Sequence, residues 1–238
     1  KEHIRINNMT DELVNDYGLG SEGQNSDIVG DWESFIYNLR GAIEDIKNGK
    51  RREAGVGNAE APILTEISDG YGTMGALASE DNLKRLDKTD TVDHRRASRP
   101  FGENCGFTIA ESTQYVVLMD DALALKLGAD IHGAVSDVFI NADGYKKSIS
   151  APGPGNYITM AKAVSAARAI VGDESLRERS FIQAHGSSTP ANRVTESRIF
   201  HEVAKVFDIQ NWPVTAAKAY LGHPLSPASA EQLMVSLG

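Results

Sequence analysis

The chain has one cysteine, Cys105, among 238 residues. That excludes an intramolecular disulfide framework and a cysteine-rich zinc site. Positive charge is also scarce: 24 Lys and Arg face 33 Asp and Glu, for a formal net charge of −9. This balance argues against a general nucleic-acid-binding role. No apolar run approaches the length of a membrane span, and no low-complexity tract argues for disorder. The polar start, KEHIRINNMTDEL, is unlike a secretory signal. The expectation is a cytoplasmic protein that binds neither membrane nor nucleic acid. Its 41% hydrophobic content is enough for one sizeable core. His94, His132 and His201 have no acids at metal-ligand spacing, so no metal site is expected. APGPG, at 151–155, lacks the Gly-Lys-Ser/Thr ending of a phosphate cradle.

Helical and strand patterns alternate along the chain. A short helix is expected over 8–17, with Thr10 as N-cap, followed by a Gly/Ser/Asn-rich loop over 18–30. Apolar residues at 35, 36, 39, 42, 43 and 46 predict a helix over 35–47, stopped by Gly49. Residues 51–57 read as a poor strand, and 67–78 as a helix weakened by three glycines. The charged segment 79–99 reads as exposed. Two β-runs follow, at 107–110 and 114–119, the second apolar enough to be central. A helix over 121–127 ends at Gly128, and 131–142 is a long β-prone stretch. A loop over 148–156 leads into an amphipathic helix over 157–171. A strand, a helix to Phe207, a strand over 214–217 and a last helix complete the chain. The class is α/β, in a single domain spanning 1–238.

The most informative stretch is FIQAHGSSTP, residues 181–190. A short apolar run delivers His185 to its tip. Ser187, Ser188 and Thr189 can then cap a helix that starts at Pro190, where proline suits the first turn. A second unit, KAYLGH, follows another apolar run and carries Lys218 and His223. Two imidazoles and an ammonium at strand ends make a site that can stabilise negative charge developing on an oxygen.

These segments resemble a known family. AHGSSTPANRVTES is similar to the HGTSTP motif of β-ketoacyl-acyl-carrier-protein synthases, and KAYLGH to their K-x-x-x-G-H motif. NAEAPILTEISDGYGTMGALAS resembles their G-x-E-A-P-I segment, and RRASRPFGENCGFTIAES their R-A-S-R-P-F…G-F…E segment. The motifs occur in family order from about residue 10 to the end, and the likeness is greatest to the long, divergent bacterial branch of fatty-acid synthesis. The resemblance implies a thiolase-like layered αβαβα fold, of which this chain is only part, without the family's first strands and C-terminal glycine-rich loop. It also implies a homodimer and a decarboxylative Claisen condensation between an acyl thioester and malonyl-acyl carrier protein. No resident cofactor is implied, because phosphopantetheine arrives on the carrier protein or coenzyme A. By the motif, His185 and His223 stabilise the enolate or thioester oxygen. Lys218 supports them and Glu111 pairs with Lys218.

The nucleophile does not carry over. Counting along the helix at 35–47, the family's cysteine falls on Trp32, and tryptophan cannot form a thioester. Three readings stay open. The preferred one is a condensing enzyme whose sequence is altered around 21–34, since the family's apolar strand pattern is also lost at 51–53. The second is a relative that does not condense, either a chain-length-setting partner subunit or a malonyl decarboxylase. The third makes Cys105 the nucleophile, although it sits in a turn rather than at a helix start. Lys50-Arg51-Arg52 and Arg95-Arg96 are basic spots for an acidic carrier protein, or plain solvated charge.

Overall fold

The computed structural model describes residues 34–143 and 152–238. The helix expected over 8–17, the loop over 18–30 and Trp32 lie outside the described residues, as do residues 148–151 of the loop expected over 148–156.

Helix α1 (Ser34–Lys47) presents Phe35, Leu39 and Ile43 along one buried stripe. They pack on Val56 of β1 (Glu53–Glu60) and on Ala230 of the last helix. Strand β1 pairs antiparallel with β2 (Ser112–Met119), with Ala54 opposite Leu118 and Val56 opposite Val116 on the packed face. The weak strand expected at 51–57 is therefore real and begins slightly later. Arg51 and Arg52 precede it and are neutralised by Asp45 and Asp120. Among the described residues β2 pairs with β1 alone, not in the central position expected. Its outward residues Tyr115 and Val117 are exposed, the one-sided burial that antiparallel pairing allows. Exchanging Ile43 for Val should lower stability by about 0.5–1.5 kcal/mol through the lost methylene. Urea unfolding of the whole protein measures this, and an unchanged midpoint would mean α1 does not pack on β1.

Between the two strands lie α2 (Thr65–Thr73) and α3 (Glu80–Asp87). The first is shorter than the expected 67–78, because Gly75 takes a left-handed turn soon after its end. The second was not anticipated within the charged segment 79–99. Ser79 caps it by accepting from the Asn82 N–H, and Leu83 alone of its residues is buried. Helix α4 (Asp121–Leu127) falls where expected. Asp120 caps its start and left-handed Gly128 ends it.

Residues 129–143 contain no strand, contrary to the β-prone reading of 131–142. β-Propensity describes fit to a pleated neighbour, and no strand among the described residues pairs with this segment. It is held instead by contacts such as Lys47 Nζ donating to the Ser136 carbonyl, and by Val138 against α1 and β1.

Helix α5 (Pro154–Arg179) opens with Pro154 in its first turn and is broken at Gly172, close to the end expected at 171. It packs on α6 (Pro190–Val206) through Val164, Leu176, Ile199 and Val203. Two short strands, β3 (Ile182–Gln183) and β4 (Val214–Thr215), pair in parallel. The one-turn helix α7 (Lys218–Leu221) and α8 (Ala228–Leu237) close the chain. No helix among the described residues is long and apolar enough to cross a membrane.

Candidate active site

Parallel pairing brings the C-terminal ends of two strands to one edge, and that edge is where α/β sheets bind ligands. The Ile182 N–H donates to the Pro213 carbonyl and the Ala184 N–H to that of Thr215. His185 and Lys218 therefore leave their strands on the same side. Gly186 then turns with φ +54, and a Cβ there would lie 2.6 Å from the Ala216 Cβ. The turn packs against the Ala216 methyl just past β4 and against the Pro100 ring, and its positive φ and lack of space both call for glycine. Thr189 caps α6 and Pro190 opens it, as the sequence predicts.

His223 arrives from the other unit. Gly222, at φ +81, ends α7 and lets the chain run beside residues 108–110. The His223 N–H donates to the Thr108 carbonyl at 2.7 Å, and the Ala110 N–H to the His223 carbonyl at 3.1 Å. The His223 side chain is 1% exposed. Its Nδ1 accepts from the Leu225 N–H at 3.1 Å, so the neutral ring carries its proton on Nε2. The imidazoles of His185 and His223 meet edge to face, centroids 5.2 Å apart, and the Phe107 ring flanks His223.

Lys218 is buried behind them, 1% exposed. Its ammonium donates to the His185 carbonyl at 2.8 Å and to Gln232 Oε1 at 2.9 Å. The other end of the Gln232 amide donates to the Ala184 carbonyl. One ammonium and one amide thus clamp α8 to the tip of β3. Burial sets the protonation states. His223 is pushed down to about 2 by desolvation, then by the positive ends of His185 and Lys218. His185 keeps some accessible surface, yet the groups packed around its ring desolvate it and, with Lys218, push it down to about 3. Lys218 falls to about 8 through burial, opposed by Glu196 and Glu231. At neutral pH the site holds two uncharged imidazoles in front of one buried ammonium.

The expected pairing of Glu111 with Lys218 is corrected. Glu111 is exposed at the start of β2, where its Oε1 accepts from the Ile63 N–H at 3.4 Å. The carboxylates that act on Lys218 are Glu196 and Glu231. Glu196 accepts from the His185 N–H at 2.7 Å, the Gly186 N–H at 2.8 Å and the Asn192 amide at 2.6 Å. Sequence reasoning missed Glu196, Glu231 and Gln232. A buried stripe at 192, 195, 196, 199 and 203 along α6 was the available signal for the first.

Cys105 is half-buried, and desolvation raises its thiol pKa, the wrong direction for a nucleophile. Its electrostatic neighbours are Arg99, Asp87 and Arg85, not the histidines. The basic spots are largely neutralised in place: Lys50 and Arg51 by Asp45, Arg52 by Asp120, and Arg95 by Asp93.

Three comparisons bear on this arrangement. A family model described as the β-ketoacyl synthase C-terminal domain matches residues 132–237, which include His185, Lys218 and His223. The β-ketoacyl-[acyl-carrier-protein] synthase FabY of Pseudomonas aeruginosa is 62% identical over 235 residues, covering 99% of this chain and 37% of that protein. The crystal structure of the ketosynthase FabY from P. aeruginosa superposes with a TM-score of 0.91 at 63% identity, covering 95% of this chain and 36% of that one. A type II polyketide ketosynthase in complex with its acyl-carrier protein gives a TM-score of 0.78 at 24% identity, covering 95% of this chain and 52% of that one. At that identity the likeness concerns the fold alone. The chain spans little more than a third of the length of the FabY relative.

Proposed function

Because this chain belongs to the β-ketoacyl synthase family and carries part of its thiolase-type fold, we propose that it is the later portion of an enzyme that condenses an acyl thioester with malonyl-acyl carrier protein in fatty-acid synthesis. The observation that carries this reading is the buried pair His185–His223 backed by Lys218. When a malonyl thioester loses carbon dioxide, the electron pair of the broken C–C bond passes into an enolate, and negative charge grows on the thioester oxygen. An Nε2–H of neutral His223 is a donor for that oxygen, and a water-poor site strengthens the bond. The enolate carbon then attacks the acyl thioester carbonyl, a new C–C bond forms and the acyl group's thiolate leaves.

Decarboxylation draws on the histidines, whereas acyl transfer draws on a thiol that the resemblance puts at position 32, here Trp32. The partners proposed are acyl carrier protein and a second copy of the chain. Phosphopantetheine arrives with the carrier or coenzyme A, and the protein works in the cytoplasm. The test uses protein expressed from its full reading frame, given malonyl-carrier protein with and without an acyl primer. Carbon dioxide and a β-ketoacyl product support condensation. Carbon dioxide and acetyl-carrier protein alone would make the protein a decarboxylase or a partner subunit. No turnover of either kind overturns the reading. Peptide mass spectrometry across 21–40 establishes the residue at position 32 in the same preparation.

The site also sets a pH dependence. Lys218 is charged below its lowered pKa of about 8 and neutral above it. Its positive charge supports the developing oxyanion, so kcat for decarboxylation should fall through a single ionisation as pH rises past about 8. The histidines are already neutral at pH 6 and give no acid limb there. In Lys218→Met the alkaline limb should vanish and the plateau drop. A limb that persists in this variant would assign it to another group.

A further inference from the structure

We propose that Ser98 is a positioning residue that ties the His185 loop to the His223 turn and so fixes how the two imidazoles face each other. This rests on the reading of the site given above and deepens it.

Ser98 lies far in sequence from both histidines, and its two hydrogen bonds go to Ser188 and Lys218 rather than to an imidazole. Its hydroxyl donates to the Lys218 carbonyl at 2.6 Å. A serine has one hydroxyl proton, so its 3.0 Å contact with the Ser188 hydroxyl has a fixed direction: Ser188 donates and Ser98 accepts. The Lys218 carbonyl also accepts from the Gly222 N–H at 3.1 Å, and Gly222 immediately precedes His223. A chain of three hydrogen bonds therefore runs from Ser188, three residues after His185, through Ser98 and the Lys218 carbonyl to the residue that aims His223. The Ser188–Ser98–Lys218 carbonyl part runs donor to acceptor, so its two bonds polarise and strengthen each other, and the shared carbonyl joins them to the Gly222 N–H.

Both ends of this tie are held under constraint. Ser188 is fully buried with φ +68, a left-handed conformation that disfavours any residue but glycine. Its carbonyl accepts from the Gly106 N–H at 3.1 Å. Persistent strain of this kind shows that the surroundings over-determine the conformation. On the other side, Arg99 is fixed by a two-point ion pair with Asp87, and Pro100 packs at 3.1 Å from where a Cβ on Gly186 would sit. Ser98 thus stands on a rigid segment that already touches the His185 turn. The hydroxyl transmits that rigidity to the second loop.

Three variants in the full protein test this: Ser98→Ala, Ser98→Thr and Ser188→Gly. Three readouts are taken: malonyl decarboxylation kinetics, the melting temperature, and the ring resonances of His185 and His223 in protein labelled with 13C at histidine Cε1. Ser98→Ala should lower kcat about 10- to 100-fold, with KM nearly unchanged, because misplaced groups lose transition-state contacts rather than ground-state binding. Both histidine resonances should move. Ser98→Thr, which keeps the hydroxyl, should restore both. Ser188→Gly removes the donor and relieves the left-handed strain, so its melting temperature should not fall while its kcat does. Resonances unchanged in Ser98→Ala and Ser188→Gly overturn the proposal. A rate loss that tracks lost thermal stability and is not rescued by Thr overturns it as well. If the wild-type protein does not decarboxylate malonyl-carrier protein, the functional reading fails, and the resonances still decide whether Ser98 couples the two rings.

Discussion

Replacing His223 by alanine is expected to lower the turnover of malonyl-carrier protein by about 10²–10³-fold, the usual loss when one preorganised oxyanion donor is removed. The tautomer of His223 sets this expectation. The Leu225 N–H occupies Nδ1, which leaves Nε2 to carry the proton of the neutral ring. Burial keeps that ring neutral far below physiological pH. A neutral donor stabilises an oxyanion without having to lose a charge, and it needs no reorientation when the charge appears. The backbone around it is equally fixed, by the bonds to residues 108 and 110 and by the left-handed glycine before it. Alanine also orphans the Leu225 N–H, which costs about 1–3 kcal/mol if the amide stays buried. A melting curve must therefore accompany the kinetics. His223→Asn offers that amide an acceptor and separates the two effects: its stability should exceed that of the alanine variant while turnover stays low. A folded alanine variant that retains wild-type decarboxylation would remove His223 from the chemistry.

What could be read from the sequence follows a simple division. The placing of His185, Lys218 and His223 was legible because two short motifs carry them: His185 follows the apolar run at 181–184 ahead of Gly186, three hydroxyl residues and Pro190, and the unit with Lys218 and His223 follows the run at 212–217. The caps at Thr189 and Gly128 were legible for the same reason: the signal and the structure lie within a few residues of each other. Ser98, Glu196, Glu231 and Gln232 were not. Gln232 reaches Ala184 and Lys218 only because α8 folds back across β3, and Ser98 meets Lys218 across 120 residues of chain. Nothing local distinguishes these side chains from other polar residues. Glu111 shows the converse error. The motif order marked a carboxylate, but the order of motifs does not say which carboxylate reaches the buried ammonium. The strand expected at 131–142 failed because side-chain preference says nothing about whether a neighbouring strand is present to pair with.

Glu196→Ala should destabilise the protein by about 3–5 kcal/mol, the range for removing one member of a buried charged network. Glu196 is 8% exposed and accepts three hydrogen bonds, two of them from the main chain at His185 and Gly186. Truncation leaves both N–H groups in a place that α6 and β3 close to water, and each orphan costs about 1–3 kcal/mol. It also removes one of the two carboxylates that hold the charge of Lys218 against desolvation. Burial raises the pKa of Glu196 itself, while its hydrogen bonds and Lys218 pull it back, so the carboxylate persists through those partners. Glu196→Gln keeps one oxygen for one N–H and turns an amide donor towards the other. Its loss should be smaller than that of alanine but real. The two variants together keep the test decisive if alanine does not fold. Denaturant unfolding gives the stabilities, and the alkaline limb of the decarboxylation profile supplies an independent reading. With Glu196 neutral, Lys218 loses a supporting charge, its pKa falls further, and the limb should move to lower pH in Glu196→Gln. A limb that stays in place, with stability within about 0.5 kcal/mol of wild type as for an ordinary surface change, would mean that the His185 loop is held by its tight turn and not by this carboxylate.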